Sequence, residues 1–166
     1  MLLEDSLRAV ELIRRFKGPI VDVGSGGGAP GIPLAHALPG RAVTLLEASG
    51  RKCDFLERWT ASLPNLTVVC GRAEEQPLDA YGVAVAKALA PPPVAAEWCL
   101  PLVSPGGAVV LFVGPSADED RVARVADQLA AEPVESPTGF LVLRKVGPTP
   151  EGFPRRPGAA RKRPLA

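Results

Sequence analysis

The sequence predicts an α/β protein: an open, mainly parallel twisted sheet with helices on both faces and an antiparallel edge strand. Three observations carry that expectation. Short apolar runs rich in β-branched residues alternate along the chain with stretches of helical period. The first run, Ile20-Val21-Asp22-Val23, breaks off into Gly24, Gly26, Gly27, Gly28 and Gly31, a strand–turn–helix pattern. Two final runs near 132–136 and 140–146 are close enough to form a hairpin, which closes a sheet with an antiparallel strand. With 166 residues, 46% of them hydrophobic, the chain is sized for one domain with one substantial core.

Taken in order, residues 2–16 space Leu3, Leu7, Val10 and Ile13 at helical intervals, which predicts an amphipathic helix ended by Lys17-Gly18-Pro19. The first strand follows at 20–23. Pro30 and Pro33 suit the first turn of the next helix, whose apolar residues are Ile32, Leu34 and Leu38. A second strand at 42–46 leads into Glu47. Ser49 can cap a helix to about Leu63 with Phe55, Leu56, Trp59 and Leu63 as its inner face, and Pro64-Asn65 breaks it. Strands are expected at 66–70 and 82–86, with a short helix from Gly71-Arg-Ala-Glu-Glu75 between them. The prolines at 91–93 open a helix through Trp98 to Val103. Gly106-Gly107 turns into a fifth strand at 108–113. Ser116-x-x-Glu119 reads as a capping box for a helix with Val122, Val125, Ala126 and Leu129 on one stripe.

The glycine turn is the chemically informative stretch. Bare backbone there lets a ligand lie against peptide N–H groups at a helix start. Gly24-x-Gly26-x-x-Ala29 fits the loose dinucleotide pattern, but Asp22 sits two residues ahead of it. A carboxylate at that place repels a pyrophosphate and suits a cation. S-adenosylmethionine has an ammonium and a sulfonium and no phosphate, so it fits better than a nicotinamide cofactor, which stays the alternative. Glu47 closes the second strand, where ribose hydroxyls are gripped in such sheets. Lys87 follows the fourth strand at the carboxyl edge where sites gather.

Composition excludes several other classes. The longest apolar stretches fall short of a membrane span, and the N-terminus lacks the order of a signal peptide. Cys53, Cys70 and Cys99 are odd in number, far apart and set among apolar neighbours, which predicts buried thiols in a reducing cytoplasm and not a disulfide frame or metal site. His36, the one histidine, reads as structural. Residues 147–166 carry five cations against Glu151 and form a basic, Pro-rich C-terminal tail beyond a domain at 1–146. A basic end on an acidic body suggests a polyanion partner.

Several of these stretches together resemble the RsmG (GidB) family of ribosomal RNA methyltransferases. They are Asp22-Val-Gly-Ser-Gly-Gly-Gly-Ala-Pro-Gly-Ile-Pro-Leu34, Val43-Thr-Leu-Leu-Glu-Ala-Ser-Gly-Arg-Lys52 with Phe55-Leu56, and Gly71-Arg-Ala-Glu-Glu75. Phe153-Pro-Arg-Arg-Pro-Gly158 and Lys162-Arg-Pro-Leu165 resemble the family's closing motif. The resemblance implies a Rossmann-like class I methyltransferase fold. It also implies transfer of a methyl group from S-adenosylmethionine to N7 of a guanine, conventionally position 527, in 16S rRNA. It places donor contacts at Gly24, Ala29, Ala73, Glu74 and Lys87 and the ribose hydroxyls on Glu47, beside Asp22 and Gly26 of the glycine turn, and substrate RNA on Arg155, Arg156 and Lys162. The implied partner is 16S rRNA or the small ribosomal subunit, for a cytoplasmic protein, with a monomer expected. Three features differ from the family's usual pattern: Lys87 replaces Arg, Phe112-Val113-Gly114 replaces Leu-Lys-Gly, and Leu2–Leu7 lacks a preceding helical segment.

Guanine N7 is a lone pair with no proton to remove, so its methylation needs alignment and no general base. The sequence agrees, with no Cys-centred motif, His–carboxylate pair or metal cluster to assign as catalytic. A donor- or RNA-binding module without turnover is the other reading that these residues allow.

Overall fold

The computed structural model describes residues 2–166. The chain runs α1 (Leu2–Ile13), β1 (Ile20–Val23), α2 (Gly31–Ala37), β2 (Val43–Glu47), α3 (Gly50–Thr60), β3 (Leu66–Cys70) and a 3₁₀ turn (Ala73–Glu75). It continues through β4 (Tyr81–Lys87), α4 (Pro92–Cys99), a second 3₁₀ turn (Leu100–Leu102), β5 (Val103–Phe112), α5 (Glu119–Gln128), β6 (Ala131–Val134), β7 (Phe140–Lys145) and α6 (Ala159–Lys162). The strands form one seven-stranded sheet in the order β3-β2-β1-β4-β5-β7-β6. Pairings from β3 to β5 are parallel, and β7 alone runs antiparallel, between β5 and β6. Among the described residues no helix is long and apolar enough to cross a membrane.

Both faces of the sheet are covered, as continuous β-branched strands require. Ile20, Val43, Leu45, Val83, Val85 and Val110 pack against Val10, Ile13, Leu34 and Leu56 from α1, α2 and α3. Val21, Val23, Ala84, Val109 and Leu111 face the other way, onto α4 and α5. Successive strands lie on opposite sides of β1 after β3, so the chain reverses direction across the sheet between β1 and β4. The crevice outside the carboxyl ends of those two strands is where such sheets bind ligands.

Several boundaries differ from the sequence reading. The inner stripe of α1 uses Ala9, Val10, Leu12 and Ile13, while Leu3 and Leu7 are exposed. Asp118, not Ser116, caps α5, its carboxylate accepting from the Arg121 N–H at 3.0 Å. β5 starts at Val103, five residues early, and absorbs the Gly106-Gly107 pair. On α3 only Cys53 and Leu56 are buried; Phe55 and Trp59 are 42% and 43% exposed. The reason is position: β3 is the sheet edge, so half of α3 has no sheet beneath it.

The cysteine expectation is also corrected. Cys53 and Cys70 form a disulfide, with Cα atoms 5.9 Å apart, and Cys99 is the free, buried thiol. α3 connects two adjacent parallel strands, so its first turn passes over the end of β3 and meets the cysteine there. Sequence separation concealed a neighbour relation that the crossover creates.

Residues 147–166 are docked on the body, with a short helix of their own. Arg155 makes a bidentate ion pair with buried Glu97 of α4, at 2.6 and 2.7 Å, and its Nη2 also donates to the Arg163 carbonyl. Ala160 is buried in the core on the α4 side, and Phe153 and Leu165 pack against it. Arg155→Ala leaves the Glu97 carboxylate buried and unpaired. The expected cost is about 3 kcal/mol of stability, read from the urea midpoint, against almost none for exposed Arg156→Ala.

Candidate functional site

A cavity of about 330 Å³ opens at the crevice between β1 and β4, within the range of small-molecule sites. It is lined by Val23 and Gly24 from β1 and its turn, and by Leu46, Glu47 and Ala48 from the end of β2. The segment after β3 adds Gly71 to Glu74, and Leu89, Trp98 and Arg161 form the far wall. The loop ends are pinned by backbone: Gly24 N–H and Ser25 N–H both donate to the Leu46 carbonyl, and Gly71 N–H to the Glu47 carbonyl.

Glu47 is the best-fixed polar group there. Its Oε2 accepts from Gly26 N–H at 2.8 Å and its Oε1 from Ser49 N–H at 2.9 Å. Ser49, the N-cap of α3, makes no side-chain cap; its own N–H is held by the neighbouring carboxylate. Each carboxylate oxygen keeps spare acceptor capacity, enough to take a pair of vicinal hydroxyls.

Asp22 lies behind the turn, on β1. Its Oδ2 accepts from Gly31 N–H at 3.0 Å, and its Oδ1 is buried without a partner. Burial is the main influence on this carboxyl and pushes its pKa up to about 7, with Glu47 adding to the rise; hydrogen bonds from Gly31 and Ser25 oppose it. A buried acid with an unused oxygen, poised between charged and neutral, fits a cationic ligand group. Two glycines are dictated by this packing. Gly24 has φ of +72°, and a Cβ there would strike Leu89. A Cβ on Gly31 would meet Leu45 and the Asp22 carboxylate.

Of the residues singled out in the sequence, Gly24, Glu47, Ala73 and Glu74 line this one cavity. Gly26 borders it through its bond to Glu47 and turns its other side to a neighbouring cleft. Ala29 does not line it. Neither does Lys87, which occupies a separate cleft with Asp5, Arg8, Phe112 and Gly139. Its Nζ sits 3.6 Å from Asp5 and 5.4 Å from the Phe112 ring centre. The following Ala88 has φ of +52°, a strained turn that sends the chain back toward the cavity at Leu89.

The three far-wall residues, Leu89, Trp98 and Arg161, escaped the sequence reading. Trp98 sits on α4, and its indole N–H is buried without a partner. Arg161 stacks on that ring at 5.2 Å and donates to the Leu89 carbonyl. Glu74 accepts from Gly158 N–H at 3.3 Å. The aromatic on α4 after a strand-end loop was a usable signal for Trp98. Nothing local marks Arg161, whose place depends on how the C-terminal segment docks. Of the three cationic residues expected to meet RNA, Arg156 and Lys162 are exposed and Arg155 is committed to Glu97.

Known proteins resemble this chain at two levels. By structure, it matches a SAM-dependent O-methyltransferase of Thermotoga maritima with a TM-score of 0.67 at 16% identity, covering 87% of this chain and 65% of that one. M. jannaschii TYW2, solved in complex with AdoMet, matches with a TM-score of 0.68 at 14% identity over 86% of this chain and 72% of that one. Such identities establish the shared fold. By sequence, proteins named ribosomal RNA small subunit methyltransferase G are nearer relatives. The one from Synechococcus elongatus is 37% identical over 90% of this chain and 70% of its own length. The one from Carboxydothermus hydrogenoformans is 38% identical over 87% and 70%. The GidB family model, described as rRNA small subunit methyltransferase G, matches residues 1–138. On that match and those identities, the chain belongs to the rRNA small subunit methyltransferase G family.

Proposed function

We propose that this chain transfers the methyl group of S-adenosylmethionine to N7 of a guanine in 16S rRNA, at the position conventionally numbered 527. The observation that carries the reading is Glu47, held by two backbone N–H groups at the mouth of the crevice in a chain of this family. The bound donor supplies an electrophilic methyl on a sulfonium. Glu47 grips the ribose hydroxyls, Asp22 answers the ammonium through the glycine turn, and Gly24 leaves room for the amino-acid end. Ala73 and Glu74 meet the base, between the apolar walls of Leu89 and Trp98. Gly26 fixes the Glu47 rotamer, and Ala29 shapes the turn from outside the cavity.

The acceptor nitrogen needs no deprotonation, so the protein's work is alignment in a water-poor crevice and tolerance of charge moving to the purine. Lys87 lies in the neighbouring cleft with its ammonium buried between Asp5 and Phe112, where it adds positive potential beside the crevice without touching a phosphate directly. Exposed Arg156 and Lys162 make the RNA contact. Residues 1–146 form the methyltransferase domain, and 147–166 are an appendage that completes one wall of its cavity. The rRNA substrate puts the protein in the cytoplasm, acting as a monomer.

Titration calorimetry with S-adenosylmethionine or its demethylated product tests the reading. Binding in the micromolar range is expected, an order-of-magnitude figure for cofactor affinity, and Glu47→Ala should abolish the heat. A wild-type protein that gives no heat ends the donor assignment. Labelled donor incubated with small ribosomal subunits then tests transfer: label at a guanine N7 of 16S rRNA is expected, and donor binding without label would leave a module that does not turn over.

A further inference from the structure

The exposed half of α3 carries an unusual set of side chains for a surface helix. Phe55 and Trp59, one turn apart, present large rings to solvent, and Arg51, Lys52 and Arg58 surround them. None of these three cations makes a hydrogen bond or ion pair among the described residues, in contrast to Arg155 and Arg161. Asp54 and Glu57 are the acids on the same helix, so cations prevail three to two. Arg51, Lys52, Asp54, Phe55 and Arg58 line a cleft whose floor is Gly26-Gly27. That floor is the turn whose Gly26 N–H holds Glu47.

We propose that this face of α3 binds an unpaired stretch of the substrate RNA, with bases stacked on Phe55 and Trp59 and phosphates on Arg51, Lys52 and Arg58. The inference rests on the rRNA reading above and adds a surface to it. The physical case has three parts. A guanine N7 inside an A-form duplex lies in a deep, narrow groove that side chains cannot enter, so the target must be presented in unpaired RNA. Unpaired flanking bases lose their stacking partners, and an exposed aromatic restores one whatever the base. Finally, the cleft adjoins the donor turn, so a strand lying in it remains within reach of the crevice. A protein partner would take the two rings equally well, but would leave three unpaired cations without purpose.

The test uses a 16S rRNA fragment containing the target loop, with affinity measured against salt. Phe55→Ala should weaken binding about tenfold, as loss of one stacked base does, and Phe55→Trp should restore it. Arg51→Ala with Arg58→Ala should lower the slope of log K against log salt by about 0.7 per cation removed. RNA should quench tryptophan fluorescence, and Trp59→Phe should remove most of that quenching. Calorimetry with S-adenosylhomocysteine should be unchanged in all these variants, which separates this surface from the donor cavity. Unaltered RNA affinity in Phe55→Ala, together with an unaltered salt slope in the double variant, overturns the proposal. So does sedimentation showing a wild-type dimer that Phe55→Ala splits, since a second copy would then be the occupant. A wild type that binds RNA but no donor sinks the enzyme reading and leaves this surface standing.

Discussion

Asp22→Asn is expected to give a protein that is more stable without ligand above pH 7 and that binds S-adenosylmethionine at least tenfold more weakly. The folded state holds the Asp22 proton up to about pH 7, whereas the unfolded chain releases it near 3.8. Between those values the folded form binds more protons, so this group's contribution to stability falls as pH rises from about 4 to 7 and is level beyond. The loss at neutral pH is at most about 4 kcal/mol, from 1.36 kcal/mol per pKa unit. Asparagine keeps the acceptor for Gly31 N–H and removes the titration. Urea melts at pH 5 and pH 8 should therefore show wild type losing stability between them and the variant losing less. Donor binding should release a proton near pH 7 in wild type, visible as a buffer dependence of the calorimetric enthalpy, and should not in the variant.

Lys145→Met should cost about 3 kcal/mol or more, with loss of the docked C-terminal segment. Lys145 ends β7 with its ammonium buried, its three N–H groups shared among the Leu100 and Val103 carbonyls at 2.8 Å, Thr149 at 2.9 Å and Asp79 at 3.0 Å. Methionine fills the volume but strands two carbonyls and a carboxylate, which breaking a buried pair makes expensive. Burial alone would raise the Asp79 carboxyl, but hydrogen bonds from Thr149 and Lys145 outweigh it and hold the pKa below its ordinary value. Stability from that depressed value is present above the unfolded pKa and disappears as pH falls through the folded one. The variant should consequently lose less on acidification than wild type. Thermal melts at pH 2.5, below the unfolded value of 3.8, and at pH 7, with protease sensitivity beyond residue 147, measure both effects.

The sheet was legible in the sequence because each buried strand is a short β-branched run with a glycine or proline stop. Ile20–Val23 and its glycines alone placed β1, the turn and α2. Glu47 was legible because strand ends have a fixed relation to the crevice. What escaped depends on contacts between distant segments. Phe55 and Trp59 have the spacing of an inner face, yet the sheet ends beneath them at β3. Cys53 and Cys70 meet only through a crossover. Lys87 stands at the correct strand end but points into the other cleft, beside Asp5 and Phe112, since the strained turn at Ala88 divides the two. Arg155 has the composition of a tail and the partner of a core residue.

Glu74 and Leu89 stand in the cavity wall, and each is tied to residues 158–161, which follow the last strand in the chain. During synthesis the emerging polypeptide has its glycine turn and both acids well before it has a closed binding chamber. Newly made chains therefore lack the Gly158–Glu74 and Arg161–Leu89 hydrogen bonds that close this wall until residues 158–161 have been added.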